Sequence, residues 1–340
     1  PFFRDRHMPI FMFRLPFRIA AALLVLAGVL AAFGAAAWAQ VLKKAVLIPQ
    51  WEPQAQFAGY YAALTRGFYR NHGVDMTILR GGPKSPPSRL LSEGQAAFGT
   101  FFLPTALKLR ADGMPLVNIC QIVRRSSLLL IAKKDSGIAA TKDLGGRKVS
   151  MWGPEFRMQP ETFFRDNALE IIQKPQGFTV DLFLRGGVDV VSGMLYNEYH
   201  TIINSGIDPD ELTVFAMDDY GLSFPEDGLY CLEKTFREDP ELCRAVAEAS
   251  LEGWKWAFEN PEKALDIVMS HVNAANLPTN RMHQKWMLAR MQDIIAPPGV
   301  TAAPGSLSRT EYDAVATAMQ RARLITDIPP YEAFYAHLFK

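Results

Sequence analysis

The feature that most constrains this chain is the rhythm of its apolar runs. Short runs with strand character at 45–48, 74–79, 96–98, 116–122 and 128–132 alternate with helical stretches at 58–69, up to Glu93, and 104–112. Strands that alternate with helices need a sheet covered by those helices, and a mostly parallel one. A second series follows, with strand-like runs at 147–152, 178–183, 188–194 and 212–217. A helix opened by Gly153-Pro154 runs to Asn167, and another covers 196–204. A last short strand at 228–232 precedes helices at 240–260, 261–273, 279–296, 309–322 and 331–339. Two α/β units and a helical tail predict two lobes. The chain crosses near residue 131 and returns near residue 222, so 40–131 with 222–340 form lobe one and 132–221 form lobe two. A cleft between two lobes is the default place for a small ligand.

The first 39 residues differ from the rest. Arg4, Arg6, Arg14 and Arg18 precede an uncharged run at 19–39 that ends in Ala37-Trp38-Ala39. Basic residues, an apolar run and a small-x-small site are the layout of a secretory signal, with cleavage before Gln40. The run is also long enough to span a bilayer, which is the alternative of a retained anchor. The formal net charge of +1 falls to −2 without this segment, and no basic cluster remains to follow a phosphate backbone. Nucleic acid is therefore not an expected partner. The three cysteines are Cys120, Cys231 and Cys243. The spacing of the last two permits a pairing without requiring it, and no C-x-x-C or His/Cys metal spacing is present.

Catalytic signatures are missing too. There is no G-x-S-x-G elbow, no Walker A and no G-x-G-x-x-G after a strand. Gly81-Gly82-Pro83-Lys84-Ser85 looks like a phosphate loop, but Pro83, Pro86 and Pro87 remove the backbone donors such a loop uses. What recurs is a flat ring beside a hydrogen-bonding group just after a strand. Trp51 stands with Gln54, Trp152 with Gly153-Pro154, Tyr196 with Asn197 and Glu198, and Asp219 with Tyr220. Rings stack on flat ligands, while amides and carboxylates read their edges. The first of these stretches, 51–67, also carries Gln56, Phe57, Tyr60 and Tyr61. The competing reading of its aromatics is core packing, and at least one of the two tyrosines belongs there.

The motifs WEPQAQFAGYYAALTRGFYRNHGVDMTILRGG, EGQAAFGT, DGMPLVNI, TKDLGGRKVSMWGP, SLEGWKWAFENPEKAL and HQKWML span about residues 45–295. Together they resemble periplasmic substrate-binding proteins for thiamine pyrimidine precursors, a family related to sulfonate/taurine binding proteins and to thiamine pyrimidine synthase. The resemblance implies a two-lobed type II periplasmic binding protein fold of the α/β class with an inter-lobe cleft. It implies an exported, monomeric component of an ABC importer that hands a small molecule to a permease, without cofactor or metal. Trp51 would stack on the ligand ring, and Glu198 is inferred to accept from an amino-pyrimidine edge. The candidate binding set is Trp51, Gln54, Phe57, Tyr60, Thr100, Trp152, Gly153, Tyr196, Asn197, Glu198, Asp219 and Asp227. A flavin precursor and a small sulfonate-type anion, for which Arg124 and Arg125 are the candidate cations, are the alternative ligands. The enzymatic alternative is weak, because Phe101 and Thr105 stand where the synthase carries a Lys and a His.

Overall fold

A computed structural model describes residues 41–297, 299 and 302–339. The candidate signal at 1–39 lies outside them. The body from Leu42 onward is built on two five-stranded sheets. The first contains β1 (Lys43–Ile48), β2 (Val74–Ile78), β3 (Phe98–Phe102), β4 (Leu116–Gln121) and β10 (Asp227–Leu232), in the order β2-β1-β3-β10-β4. The second contains β5 (Leu128–Lys133), β6 (Lys148–Met151), β7 (Ile172–Pro175), β8 (Val190–Met194) and β9 (Leu212–Ala216), in the order β7-β6-β8-β5-β9. The chain leaves the first sheet after β4 and re-enters it at β10. Two sheets joined by two crossovers give a two-lobed α/β architecture.

Neither sheet is purely parallel. β10 runs antiparallel between β3 and β4, and β5 runs antiparallel between β8 and β9. The βα rhythm could not show this, because pairing of β10 with strands more than 100 residues away is a tertiary choice. The crossover also comes earlier than residue 131. β5 starts at Leu128 and pairs wholly within the second sheet, so the connection is the segment 122–127. Two local expectations change as well. Gly99 and Thr100 form no turn; they sit in the fully buried β3, where pairing on both sides overrides turn propensity. The strand expected at 178–183 is instead β7, six residues upstream; it ends at Pro175, and a helical turn follows at Asp181–Leu184. Proline cannot donate to a ladder, so the strand stops there.

The helices used below are α1 (Ala58–Thr65), α2 (Met158–Asp166), α3 (Glu198–Asn204), α4 (Pro240–Glu259), α5 (Pro261–Ala274) and α6 (Arg281–Ile295). α4 begins with Asp239 accepting from the Leu242 N–H and with Pro240 at its first position, a well-formed N-terminus. It packs on α1 at unusually short range because glycines face each other. A Cβ on Gly253 would lie 2.1 Å from the Gly59 carbonyl oxygen, and one on Gly59 would lie 2.2 Å from the Trp254 ring. The Sγ atoms of Cys231 and Cys243 lie 3.9 Å apart as buried thiols, and Cys120 is buried on β4. Because backbone rather than a flexible side chain meets the added methyl, Gly253→Ala should destabilise the fold by about 3 kcal/mol and lower Tm by about 8 °C in a thermal melt.

Candidate ligand-binding site

Between the sheets lies a cavity of about 30 Å³ lined by Trp51, Gln54, Gln56, Phe102, Trp152, Phe156, Met194, Tyr196, Asn197 and Glu198. Its position follows from the strand ends. Trp51 follows β1, Phe102 ends β3, Trp152 follows β6 and Met194 ends β8. Ligands of open α/β sheets bind where such carboxyl ends converge.

The upper part is a cluster of rings drawn from both lobes. Trp51 meets Trp152 edge to face with centroids 5.1 Å apart, and Phe156 likewise at 5.4 Å. Phe178 leans on Trp51 at 5.5 Å while remaining 67% exposed, and Phe102 meets Phe156 at 5.5 Å. Edge-to-face pairs contribute about 0.5–1.5 kcal/mol each beyond their buried area. A cavity of about 30 Å³ has room for a water molecule or two. A ring can enter only if Trp51 and Trp152 separate to receive it.

The floor is polar and acidic. Gln56 Nε2 donates to Asp227 Oδ2 (2.6 Å), and the Gln50 side-chain amide donates to Oδ1. With its nitrogen thus fixed, Gln56 Oε1 accepts from Gln54 Nε2 (2.6 Å). Gln54 therefore has its carbonyl oxygen and one N–H to offer a ligand. Glu198 sits at the start of α3. Its Oε2 accepts from the Met194 N–H (2.8 Å) and its Oε1 from Asn197 Nδ2 (2.8 Å). A carboxylate has about four lone-pair sites; with the residue's own backbone N–H also directed at it, about one remains for a ligand. Gly193 makes this placement feasible, since a Cβ there would lie 2.5 Å from Glu198 Cβ.

Burial dominates the electrostatics. It pushes Glu198 and Asp227 up to about 7, against the bonds from Met194 and Asn197 in the first case and from Gln56, Gln50 and Thr100 in the second. Glu226 rises to about 8, chiefly by burial and also through its neighbour Asp227. Glu226 Oε1 accepts from the backbone and hydroxyl of Ser127, and Oε2 has no well-aligned partner. The Tyr196 hydroxyl, driven upward by burial and by Glu226, Asp227 and Glu198, lies among these acids.

Of the twelve candidate residues, the fold brings Trp51, Gln54, Trp152, Tyr196, Asn197 and Glu198 to the cavity wall. Asp227 lies one layer beneath it, and Thr100 accepts from the Gln50 N–H beside Asp227 (2.9 Å). Phe57 and Tyr60 are fully buried, Tyr60 against Trp254, so both belong to the core and not to the cavity wall. Gly153 lines a separate recess of about 450 Å³ behind Trp152, together with Arg157 and Gln176. Asp219 is exposed on a turn away from the wall. Gln56, Phe102, Phe156 and Met194 complete the wall. For Gln56 the signal was its place beside Gln54; the other three carry no mark that separates them from core residues. Arg124, an anion-site candidate, points instead to the carbonyls of Ala303 (3.2 Å) and Ser306 (3.4 Å).

Residues 54–264 match the family described as NMT1/THI5 like, which is more than half of the chain. The chain belongs to this family. It is 25% identical over 249 residues to a formylaminopyrimidine-binding protein of Halalkalibacterium halodurans, covering 70% of this chain and 74% of that one. It is 24% identical over 250 residues to the riboflavin-binding protein RibY of Chloroflexus aurantiacus, covering 69% and 68%. Among solved structures, the periplasmic aliphatic sulphonate binding protein SsuA of Escherichia coli superposes with a TM-score of 0.61 at 14% identity, over 84% of this chain and 94% of that one. The fold of this NMT1/THI5-like chain is thus that of a two-lobed binding protein.

The raised Glu226 carboxyl gives a stability prediction. A group whose pKa is higher folded than unfolded stabilises below its unfolded value, near 4.3, and loses that contribution as pH rises through about 8. Glu226→Gln should therefore melt close to the parent at pH 5 and roughly 5 °C above it at pH 9.

Proposed function

We propose that this chain is the extracytoplasmic solute-binding component of an ABC importer, and that it takes a small aromatic heterocycle between its lobes. The ligand class is a thiamine pyrimidine precursor, a hydroxymethyl- or formylamino-pyrimidine. One observation carries the reading: Trp51 and Trp152 approach from opposite lobes beside the buried carboxyl of Glu198. A flat ring between the two indoles touches both lobes at once, so it stabilises the closed arrangement, and the lobes close around it by rotation at the crossovers. Glu198 accepts from the exocyclic amine. The formylaminopyrimidine-binding relative supports this ligand class. Residues 1–39 then serve as the export signal, the periplasm is the place of action and a permease is the partner.

A flavin-type ligand is the second reading. The riboflavin-binding relative and the recess of about 450 Å³ behind Trp152 favour it, since a fused ring system with a polar arm needs that extra space. A sulfonate-type anion is disfavoured by the wall, which among the described residues holds Glu198 and no Arg or Lys. We read the chain as a binder and not a synthase because Phe101 and Thr105, at the positions of the synthase Lys and His, are buried away from the cavity wall.

Three measurements test the reading. An amino-pyrimidine precursor should quench intrinsic Trp fluorescence saturably and be recovered chemically unchanged. Trp51→Ala should weaken it by about tenfold or more; unchanged affinity would remove the stacking role. Because Glu198 is held near 7 and its ionised form is the stronger acceptor for an amine N–H, affinity should rise between pH 6 and 8. In Glu198→Gln that rise should vanish, and the loss should be far larger for the amino-pyrimidine than for an analogue lacking the amine.

A further inference from the structure

The carboxyl of Glu198 stands at the end of a hydrogen-bonded chain that crosses from one lobe to the other. Asn197 Nδ2 donates to Glu198 Oε1 (2.8 Å), which turns Asn197 Oδ1 toward His283. His283 lies on α6, whose Gln284 Oε1 accepts from the Ala55 N–H (2.7 Å), so it belongs to the lobe of the first sheet. Asn197, Glu198 and His200 follow β8 of the second sheet.

The partners fix the tautomers. Asn197 Oδ1 can only accept, so His283 Nε2 (2.8 Å away) carries the proton. The Nδ1 of a neutral His283 is then bare, and it accepts from His200 Nδ1 (2.8 Å). Asn204 Nδ2 lies 3.1 Å from His200 Nδ1 and 3.4 Å from Nε2, and Nε2 is the ring atom left to accept from it. Burial holds His200 below its ordinary value, and burial together with the His200 charge holds His283 at about 4, so both rings are neutral near pH 7. The other charged groups on the packed elements are engaged elsewhere. Arg281 and Lys285 of α6 pair with Glu262 of α5, Arg281 also with Asp266, and Arg290 pairs with Asp293 while lying over Trp286. Trp286 stacks on His200 (4.7 Å) and donates to the Leu195 carbonyl (3.0 Å), a second tie between the lobes.

Resting on the reading of the cleft as a heterocycle site, we infer that His283 is a positioning residue for ligand selection: through Asn197 it orients the carboxyl of Glu198, and it does so only while the lobes are together. Without the His283 donor, the Asn197 amide is free to turn, and Glu198 loses a fixed N–H. Recognition of the amine is then coupled to closure by a bond that neither lobe makes alone. His283→Gln keeps a donor for Asn197 Oδ1, whereas His283→Phe keeps bulk and stacking but no donor.

The test compares an amino-pyrimidine with its analogue lacking the amine, by titration calorimetry on the parent, His283→Phe and His283→Gln. The preference for the amine should fall about tenfold in His283→Phe and stay within about threefold of the parent in His283→Gln. In a Glu198→Gln background, His283→Phe should change the preference no further. A preference unchanged in His283→Phe, or an equal loss for both ligands, overturns the positioning role and leaves at most a latch. A ligand-free readout stands beside it: the carboxyl carbon of Glu198, followed by NMR against pH. Its titration should move upward in His283→Phe and not in His283→Gln, and an unmoved curve overturns the inference. If the parent binds neither ligand, the heterocycle reading falls, and the NMR titration decides the role of His283 by itself. Thermal melts of both variants confirm that they fold.

Discussion

Two amides, from Gln50 and Gln56, close on the carboxyl of Asp227, and much of the cleft depends on that grip. The turn that follows β1 carries Trp51 and Gln54, and it is held by these buried bonds as well as by packing. Asp227 is also the first residue of β10, the strand on which the chain returns to its first sheet. Its neighbour Glu226 grips Ser127 at the end of the outgoing crossover. The residues that set the ligand floor and those that set the hinge are therefore adjacent in the chain. A shift at the hinge is felt at the floor without any intermediary.

Such a floor is costly. Glu198, Glu226 and Asp227 are all buried, and burial drives each toward its neutral form. A fold selected only for stability would carry apolar residues there. On the proposed reading, a buried carboxyl that ionises near pH 7 accepts from a donor-bearing ligand edge and disfavours anions, so a fold shared with sulfonate-binding proteins would serve a different chemistry. On that same reading, the rings above supply affinity for a flat molecule and the acids below supply the choice among them.

The two-lobed plan was legible in the alternation of apolar runs, because that alternation is a local property. The placement of Trp51, Trp152 and Glu198 at one cavity wall was legible in part, since each follows an apolar run. The rest depended on contacts that no local pattern encodes. β10 reads as an ordinary short strand, and only its insertion between β3 and β4 brings Asp227 under Gln56. Phe178 looked like part of a strand because Phe and Val are good strand formers, yet Pro175 ends the pairing first and leaves the ring free to meet Trp51. Phe57 and Tyr60 share the stretch that carries Trp51 but turn inward, where Gly59 and Gly253 let α4 approach. His283 stands 86 residues from Asn197, a separation that no local pattern spans.

The clasp of rings across the cleft has a thermodynamic consequence. Trp51 with Trp152, Trp51 with Phe156 and Phe102 with Phe156 are contacts between the lobes themselves. At about 1 kcal/mol per pair, they compete with every incoming molecule by about 3 kcal/mol, or roughly a hundredfold in apparent affinity. The penalty is the same for all ligands, so it does not alter their ranking. It raises the threshold that any of them must cross. Molecules that offer only a flat face exchange one stacking contact for another and gain little, whereas a molecule that also satisfies the acid floor gains a net advantage. On the proposed reading, self-association of the lobes works as background suppression, keeping the cleft from filling with abundant aromatic compounds that lack the matching polar edge.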